Sequence, residues 1–157
     1  MQSSTPGSIE IRPASVSDSL ALARLFDRYR QFYGYDADLA KAERFISERL
    51  RAMDSHLFIA SRGAENCGFV QCYPGFASLE CRPSWLLSDL YVDETARRLG
   101  VGQALLEYVR ECAGEADCCL IELFTARSNS AAQQLYQSAG YAEDREFLHY
   151  ELLLQDG

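Results

Sequence analysis

Two different spacings of apolar residues divide the N-terminal third of the chain. The stretch "SIEIRPA" alternates apolar and polar residues, which predicts a short strand. The stretches "SVSDSLALARLFDRYRQFY" and "DLAKAERFISERLRA" instead repeat apolar residues at helical spacing. We expect Ser17 or Asp18 to cap the first helix and Gly34 to end it. The apolar faces comprise Leu20, Leu22, Ala23, Leu25, Phe26, Tyr29 and Tyr33 in the first helix, and Leu39, Ala42, Phe45, Ile46 and Leu50 in the second.

The remaining two-thirds of the chain predicts strands first and then an alternation of helices and strands. "HLFIASR", "CGFVQCYPGF" and "SLECRPSWLLSDLYV" indicate three or more strands, with "GAEN" as a hairpin turn. A helix from about Val101 to Ala113 precedes "CLIELFT", whose apolar composition predicts a buried central strand. "SNSAAQQLYQSAG" predicts a helix with an Asn or Ser cap and a Gly terminator, and "YAEDREFLHYELLL" predicts one or two closing strands.

The order β-α-α-β-β-β-α-β-α-β predicts an α/β fold with a mixed sheet. Hairpins in the first half favour antiparallel strands, whereas strand–helix–strand alternation in the second half favours a parallel pair. We therefore expect a twisted, mostly antiparallel sheet with helices on both faces. With 157 residues, we expect one domain over residues 8–157, preceded by a disordered polar tail over residues 1–7.

The acidic composition limits the possible partners. A net charge of −8 opposes binding to DNA or RNA and attracts cationic small molecules, although it also serves solubility alone. The sequence contains no run of about 20 apolar residues, which argues against a membrane span. "MQSSTPGSIE" has neither the basic nor the apolar region of a secretory signal, so a cytoplasmic location is expected.

The six cysteines are expected to be reduced thiols. No C-x-x-C pair occurs, and only His56 and His149 could assist them, so a zinc site is not expected. Cys118 and Cys119 lie in or beside an apolar strand and are expected to be small core residues.

The stretch "LSDLYVDETARRLGVGQALLEYVRECA" changes from strand to helix across two arginines and a Gly-Val-Gly. Glycines at a helix start let unpaired N–H groups approach a ligand, and arginines add positive charge, so this turn suits a phosphate or pyrophosphate. The third glycine of a dinucleotide fingerprint is replaced by Leu105, and no Gly-Lys-Ser/Thr triplet of a P-loop occurs.

This turn resembles the acetyl-CoA-binding motif Q/R-x-x-G-x-G/A of the Gcn5-related N-acetyltransferase (GNAT) superfamily. Arg97, Gly100 and Gly102 fill the motif between the strand "DLYV" and the helix "QALLEYVREC". "TARSNSAAQQLYQSAGY" resembles a second element of that superfamily, N-x-x-A-x-x-L-Y-x-x-x-G-F/Y. The resemblance covers about residues 9 to 153; the alternative is an ordinary strand–turn–helix with capping glycines.

The resemblance implies how acetyl-CoA would be bound. The backbone of Leu90, Tyr91 and Val92 would pair with the pantetheine arm where the strand over residues 86–92 parts from that over residues 120–125. Asn129 would contact the pantetheine or the adenosine end, or it would only cap the following helix. The residues that would surround the pyrophosphate are Arg97, Arg98, Leu99, Gly100, Val101, Gly102, Gln103 and Ala104.

The resemblance also implies direct transfer to an amine in a ternary complex. Tyr136 would protonate the departing coenzyme A thiolate, although a packed aromatic is the alternative. An amine with a pKa near 10.4 is neutral about once in 2,500 molecules at pH 7, so a base is needed. Asp89, which interrupts "WLLSDLYV", is the leading candidate, and a buried structural carboxylate is the alternative. Many relatives carry a glutamate where this chain has Leu86 and Leu87, so Glu80 or a backbone carbonyl with water stays open as the base. No histidine is placed to activate a cysteine nucleophile.

The acceptor would contact the first helix pair and the middle strands. "YRQFYGYDADL" is rich in aromatics and acids, which predicts a small cationic amine of the polyamine or amino-sugar type. A peptide N-terminus or a lysine side chain stays open, and the rings could merely pack the helices. The candidate acceptor-binding residues are Tyr29, Phe32, Tyr33, Tyr35 and Phe76 for the walls, and Asp36 and Glu80 for a second cation.

Two other functional classes are compatible with the sequence. One is an acyl-CoA-binding regulatory module without catalysis. The other is an interaction protein whose exposed strand edge or last strands pair with a second copy. A homodimer is also compatible with an enzyme.

Overall fold

The computed structural model describes residues 7–155 and shows a five-stranded sheet with four α-helices in that part of the chain. The strands are β1 (Ile9–Pro13), β2 (His56–Arg62), β3 (Glu65–Ala77), β4 (Arg82–Val92) and β5 (Leu120–Leu123). The helices are α1 (Ser19–Phe32), α2 (Leu39–Ala52), α3 (Val101–Glu115) and α4 (Ser130–Ser138). The predicted order is confirmed as far as α4. Within the described residues, no helix has the length and apolar character needed to cross a membrane.

The sheet is mixed, and its strands lie side by side in chain order. β1 to β4 form successive antiparallel pairs, whereas β4 and β5 run parallel because α3 carries the chain back across the sheet. The parallel pairing is short: Ser84–Leu87 of β4 face Leu120–Leu123 of β5. The predicted parallel pair in a mostly antiparallel sheet is therefore confirmed.

Alternation along β2 shows how the sheet supports two cores. Successive side chains of a strand point to opposite faces. Leu57 and Ile59 join the core that includes α1 and α2, whereas Phe58 and Ala60 join the core that includes α3. Helices therefore cover both faces of the sheet, as predicted.

The two N-terminal helices begin with different capping arrangements. Asp38 caps α2, since its carboxylate accepts a hydrogen bond from the Lys41 amide at 3.0 Å. Asp18 precedes α1, but its carboxylate pairs with the Arg12 guanidinium at 2.8 Å and accepts from the Ser15 amide. The hydrogen bond from Arg12 is the main reason that the pKa of Asp18 falls to about 2. The apolar faces are narrower than predicted, because Leu20 is 42% exposed and other helix-end residues, Tyr33 and Leu39, are also exposed.

The prediction of a buried central strand at "CLIELFT" is wrong. β5 has four residues, it lies at the edge of the sheet in the described chain, and its side chains alternate between exposed and half-buried. A run of apolar residues predicts a buried strand only when neighbours flank it on both sides, and β5 pairs with β4 alone.

The predicted closing strands over residues 141–154 are also not observed. Residues 141–155 form no strand or helix, and the apolar side chains from Phe147 to Leu154 are largely exposed. A strand requires a partner for its N–H and C=O groups, and this segment has none within the described chain. Most of the predicted N-terminal tail, residues 1–6, lies outside the described residues; Gly7 forms a turn before β1.

Candidate active site

The parallel strands β4 and β5 part directly after Leu87 and Leu123. Opposite β3, the register skips Ser88: Cys72 faces Leu87 and Gln71 faces Asp89. Such a bulge bends the strand and increases its twist. Beyond it, β4 pairs with β3 alone within residues 7–155, so one backbone edge of Leu90 to Val92 is available to a ligand. The carbonyl of Val92 is an exception, because it accepts from Arg97 Nε at 3.2 Å.

Asp89 lies at this parting and is held by the buried Gln71, which in turn contacts the half-buried Ser55. Gln71 Nε2 donates to Asp89 Oδ2 at 3.0 Å, and Ser55 Oγ donates to Gln71 Oε1 at 3.0 Å. Burial raises the pKa of Asp89, and hydrogen bonds from Gln71 and Tyr29 partly oppose the rise. A carboxylate with a raised pKa in a cleft is a better proton acceptor than an exposed one.

Two tyrosines, Tyr29 and Tyr136, share the electrostatic environment of Asp89. The Tyr29 hydroxyl donates to the carbonyl of Ser88 at 3.5 Å, and burial followed by the charge of Asp89 raises its pKa. Burial, Tyr33, Tyr141 and then Asp89 raise the pKa of Tyr136 to about 12. The Tyr136 hydroxyl is therefore protonated throughout the neutral range and serves as a donor.

Contacts between α4 and α3 position Tyr136. Asn129 caps α4, since its side chain accepts from the Ala132 amide at 3.1 Å, which confirms the capping interpretation of that residue. At the other end of α4, Arg110 of α3 donates to the carbonyl of Ala139 at 2.7 Å. The ring of Tyr141 lies 5.9 Å from the ring of Tyr136.

The loop before α3 has the backbone conformation of an anion-binding turn. Arg98 and Gly100 adopt positive φ angles of 62° and 84°, and Gly100 stands at the N-cap of α3 without a capping side chain. The first amides of α3 therefore lack side-chain acceptors and lie at the positive end of the helix dipole. This arrangement suits a pyrophosphate, and the exposed Arg98 adds charge.

Two residues of the motif have structural contacts that the sequence did not reveal. A Cβ on Gly102 would lie 2.9 Å from Leu135 Cδ2, so this glycine allows α3 and α4 to pack closely. The Arg97 guanidinium lies 5.8 Å from the Tyr91 ring and 5.9 Å from the Phe32 ring, and it therefore braces the loop against β4 and α1.

A cavity of about 690 Å³ opens at the parting of the strands. We call it the central cavity. It brings together the predicted site residues Tyr29, Tyr33 and Asp89, and it also contains two cations that the sequence analysis did not single out. Its lining residues are Phe26, Tyr29, Arg30, Tyr33, Tyr35, Lys41, Asp89, Phe124, Thr125 and Ala126.

Other predicted acceptor residues lie outside the lining of the central cavity. Phe76 and Glu80 are exposed at the far end of the β3–β4 hairpin. Phe76 faces Pro83, six residues before Asp89 on β4, which corresponds to about 20 Å along a strand. Asp36 is exposed between α1 and α2, and Phe32 packs against Tyr33 and Arg97.

Sequence analysis missed Gln71, although a signal for it was present. It is a fully buried polar residue within the otherwise apolar run "CGFVQC" of β3, and such residues require a partner. The lining cations Arg30 and Lys41 gave no comparable signal, because charged residues on helices usually face solvent.

Comparison with known protein families identifies the family of this chain. The model of the Acetyltransferase (GNAT) family matches residues 21–141. The chain belongs to the GNAT family. The match begins within the first turn of α1 and ends just after α4, and it includes Asp89, the loop before α3 and Tyr136.

Individual relatives agree with this assignment to the GNAT family. The uncharacterized N-acetyltransferase YhfO of Bacillus subtilis is 39% identical over 90% of this chain and 95% of its own length. A crystal structure of a probable acetyltransferase is 36% identical, with a TM-score of 0.88 over 94% of this chain and 99% of the other. The D-amino-acid N-acetyltransferase HPA3 of Saccharomyces cerevisiae is 30% identical over 65% of this chain and 63% of its own length. The chain is thus an acyl-CoA-dependent N-acetyltransferase.

Proposed function

We propose that this protein transfers an acetyl group from acetyl-CoA directly to the primary amine of a small molecule, with Asp89 as the base and Tyr136 as the acid. The observation that carries the proposal is that the half-buried Asp89 lines the central cavity at the parting of β4 and β5. Burial, followed by the neighbouring groups Tyr33, Tyr141 and Asp89, raises the pKa of Tyr136 to about 12, which keeps the proposed acid protonated.

The residues present fit acetyl-CoA, which supplies an activated thioester when bound. The backbone edge of Leu90 to Val92 offers hydrogen bonds to the pantetheine arm. The turn from Arg98 to Gln103 offers amides and a positive charge to the pyrophosphate. Asn129 already uses its side-chain oxygen to cap α4, so its amide nitrogen is the group left for a ligand.

The proposed reaction removes two protons from the acceptor nitrogen. The acceptor ammonium gives one proton to Asp89, and the neutral nitrogen then forms the new C–N bond while the C–S bond breaks. The nitrogen loses a second proton as the amide forms. Tyr136 donates a hydrogen bond to the departing sulfur and transfers its proton there. Of the two protons lost from nitrogen, one restores Tyr136 through the site and the other reaches solvent. The products are an N-acetyl amide and coenzyme A.

The dimensions of the central cavity support a small-molecule acceptor. Its volume of about 690 Å³ lies in the range of small-molecule sites. The yeast relative is named for D-amino acids, which are small primary amines. The polyamine or amino-sugar acceptor predicted from the acidic composition has weaker support, because Arg30 and Lys41 line the cavity and would repel a second cation.

A panel of amines tests the proposed function. Release of free coenzyme A should depend on both acetyl-CoA and an amine, and acetyl-CoA should raise the melting temperature because it binds the native state. A rise in melting temperature without coenzyme A release for any amine would indicate a binding module without catalysis. No rise and no release would contradict the proposal entirely.

We also propose that the enzyme is a homodimer in which residues 145–154 of one copy pair with the free edge of β5 in the other. Unpaired strand edges and large exposed apolar segments favour association. The segment passes the end of β5, since the ring of His149 lies 4.6 Å from that of Phe124. Its exposed apolar residues, 74% to 85% accessible, are Phe147, Leu148, Tyr150, Leu152, Leu153 and Leu154.

Sedimentation of the full chain tests this assembly. The wild type should sediment as a dimer, and the double variant Leu152→Glu, Leu154→Glu should sediment as a monomer. Glu143→Gln, an exposed polar change before the segment, should leave the dimer intact. A wild type that sediments as a monomer at every concentration would show that the segment folds onto its own β5 or remains free.

A further inference from the structure

Arg30 has a buried guanidinium nitrogen that lacks a hydrogen-bond partner. The side chain is 16% exposed, and within the described chain no acceptor lies in hydrogen-bond range of its Nη1. The nearest carboxylate oxygen, Asp27 Oδ1, is 3.7 Å away. That carboxylate is already engaged, because it accepts from the Asp38 amide at 2.9 Å and from Gln31 Nε2 at 3.2 Å. Buried charged donors without an acceptor are costly, so Arg30 requires an acceptor from elsewhere.

A ligand bound in the central cavity would supply such an acceptor. Arg30 lines this cavity together with Lys41 and Thr125, and the buried Thr125 hydroxyl also lacks a partner within the described chain. The Arg30 guanidinium lies 5.2 Å from the ring of Tyr35, which holds its plane in place. Three side chains that can donate hydrogen bonds therefore line the same cavity.

The spacing of residues on α1 places Arg30 on the helix face that lines the cavity near Asp89. Tyr29 and Arg30 follow Phe26 by three and four residues, and Tyr33 follows Tyr29 by four, so all of them share one helix face. Tyr29 contacts the β4 bulge next to Asp89, and Arg30 is its neighbour along the helix. Because Asp89 and Arg30 both line the central cavity, we expect one ligand bound there to contact both.

We propose that the acceptor is a zwitterionic amine, an amino acid, whose carboxylate binds Arg30, Lys41 and Thr125 while its amine lies at Asp89. This inference rests on the proposed function and specifies its substrate class. Guanidinium groups bind carboxylates through paired hydrogen bonds, which would satisfy the orphaned nitrogen of Arg30. The net charge of −8 attracts cations from a distance, but inside the cavity the nearest charges decide the preference.

A comparison of acids with their amides tests the inference. The acceptors are alanine and phenylalanine, each in both enantiomers, with alaninamide, phenylalaninamide, spermidine and phosphoethanolamine as comparisons, and the readout is the initial rate of coenzyme A release. We expect kcat/KM for at least one amino acid to exceed that for its amide by about tenfold or more. The amide group lowers the pKa of the neighbouring amine, so a larger fraction of that amine is neutral and reactive. This effect favours the amide substrate, which makes the comparison stringent.

Substitution of Arg30 and Lys41 tests whether these residues cause the preference for amino acids over amides. Arg30→Gln should raise KM for the amino acid by about tenfold or more, leave KM for the amide nearly unchanged, and change kcat less than KM. Lys41→Gln, at an exposed position that tolerates change, should raise the same KM to a smaller extent. Arg24→Gln on the exposed face of α1 is the matched control and should have no effect.

The outcomes separate this inference from the proposed function. Acetylation of amides, spermidine or phosphoethanolamine with no preference for the amino acid would overturn the inference and leave acetyl transfer standing. A preference for the amino acid that survives both Arg30→Gln and Lys41→Gln would also overturn it. Absence of coenzyme A release with every amine would contradict the proposed function as well.

Discussion

Gln71 Nε2 donates a hydrogen bond to Asp89 Oδ2 at 3.0 Å, across the β3–β4 pair and directly beside the bulge at Ser88. Gln71 is fully buried, and its own oxygen accepts from Ser55. Burial raises the pKa of Asp89, and the hydrogen bond from Gln71 opposes that rise. The hydrogen bond therefore favours the ionised carboxylate. Gln71 is thus a positioning residue for the proposed base.

Gln71→Met should move the acidic limb of the pH–rate profile to higher pH. The substitution keeps the volume of the side chain and removes the donor, so the pKa of Asp89 should rise further. A plot of kcat/KM against pH measures the shift, and Ser55→Ala, one bond further from the carboxylate, should shift the limb less. A lower rate with an unmoved limb would assign Gln71 a purely structural role.

Asp89→Asn should abolish the acidic limb of the kcat/KM profile and lower turnover at neutral pH by about a hundredfold or more. Asp89 must be ionised to accept a proton, so wild-type activity should fall as pH drops through a pKa that burial has raised above the ordinary value. An unchanged pH–rate profile in Asp89→Asn would exclude this residue as the base.

The same variant should be more stable than the wild type at neutral pH. A carboxyl whose folded pKa is raised contributes stability while it is protonated, and that contribution is lost as pH rises from its unfolded pKa through its folded pKa. Neutral asparagine avoids this loss. Thermal melts should therefore show a higher melting temperature for Asp89→Asn at pH 7, and a difference that shrinks toward pH 4. A less stable variant at pH 7 would show that the carboxylate is fully compensated by its donors.

Tyr136→Phe should lower kcat by about tenfold or more while acetyl-CoA still binds. The change removes the hydroxyl that donates to the departing sulfur in the proposed reaction and keeps the ring that packs against Tyr141. Isothermal calorimetry with acetyl-CoA and steady-state kinetics separate the two effects. Tyr141→Phe is the matched control: it removes a buried hydroxyl without a partner, so activity should persist and stability should not fall.

Gly102→Ala should reduce turnover more than it reduces stability. The added Cβ would lie 2.9 Å from Leu135 Cδ2, which would push on α4 and thereby displace the adjacent Tyr136. Alanine favours a helix over glycine by about 0.5–1 kcal/mol, which offsets part of the clash in the melting temperature. Leu135→Val removes the clashing atom, so the double variant should recover part of the lost kcat. Equal activity of wild type and Gly102→Ala would show that Leu135 adjusts without moving α4.

Local patterns predicted most elements and the cofactor loop because the relevant forces act between residues near each other in sequence. The apolar stretch "HLFIASR" predicted β2 with the observed ends, and the helical spacing around Phe45 and Ile46 predicted α2. The Gly-Val-Gly before α3 predicted a helix start suited to an anion, and the positive φ of Gly100 agrees with that role.

Predictions failed where the outcome depended on partners from distant parts of the chain. The apolar run around Leu120 predicted a central strand, but no second neighbour pairs with β5 in the described residues. The segment after Tyr141 has a strand-like composition and no partner strand in the described chain. Phe76 and Glu80 appeared in the acceptor prediction by composition, yet the hairpin carries them away from Asp89.

The sequence by itself determined the family, the order of the elements and the loop that suits a pyrophosphate, because these depend on short-range spacing and on residues that stand next to each other. Only the tertiary structure decided that Gln71 meets Asp89 and that Arg30 and Lys41 line one cavity. Strand register and helix docking bring such groups together from distant positions, and neither leaves a mark in local periodicity. The cavity therefore has a cationic wall inside an acidic protein.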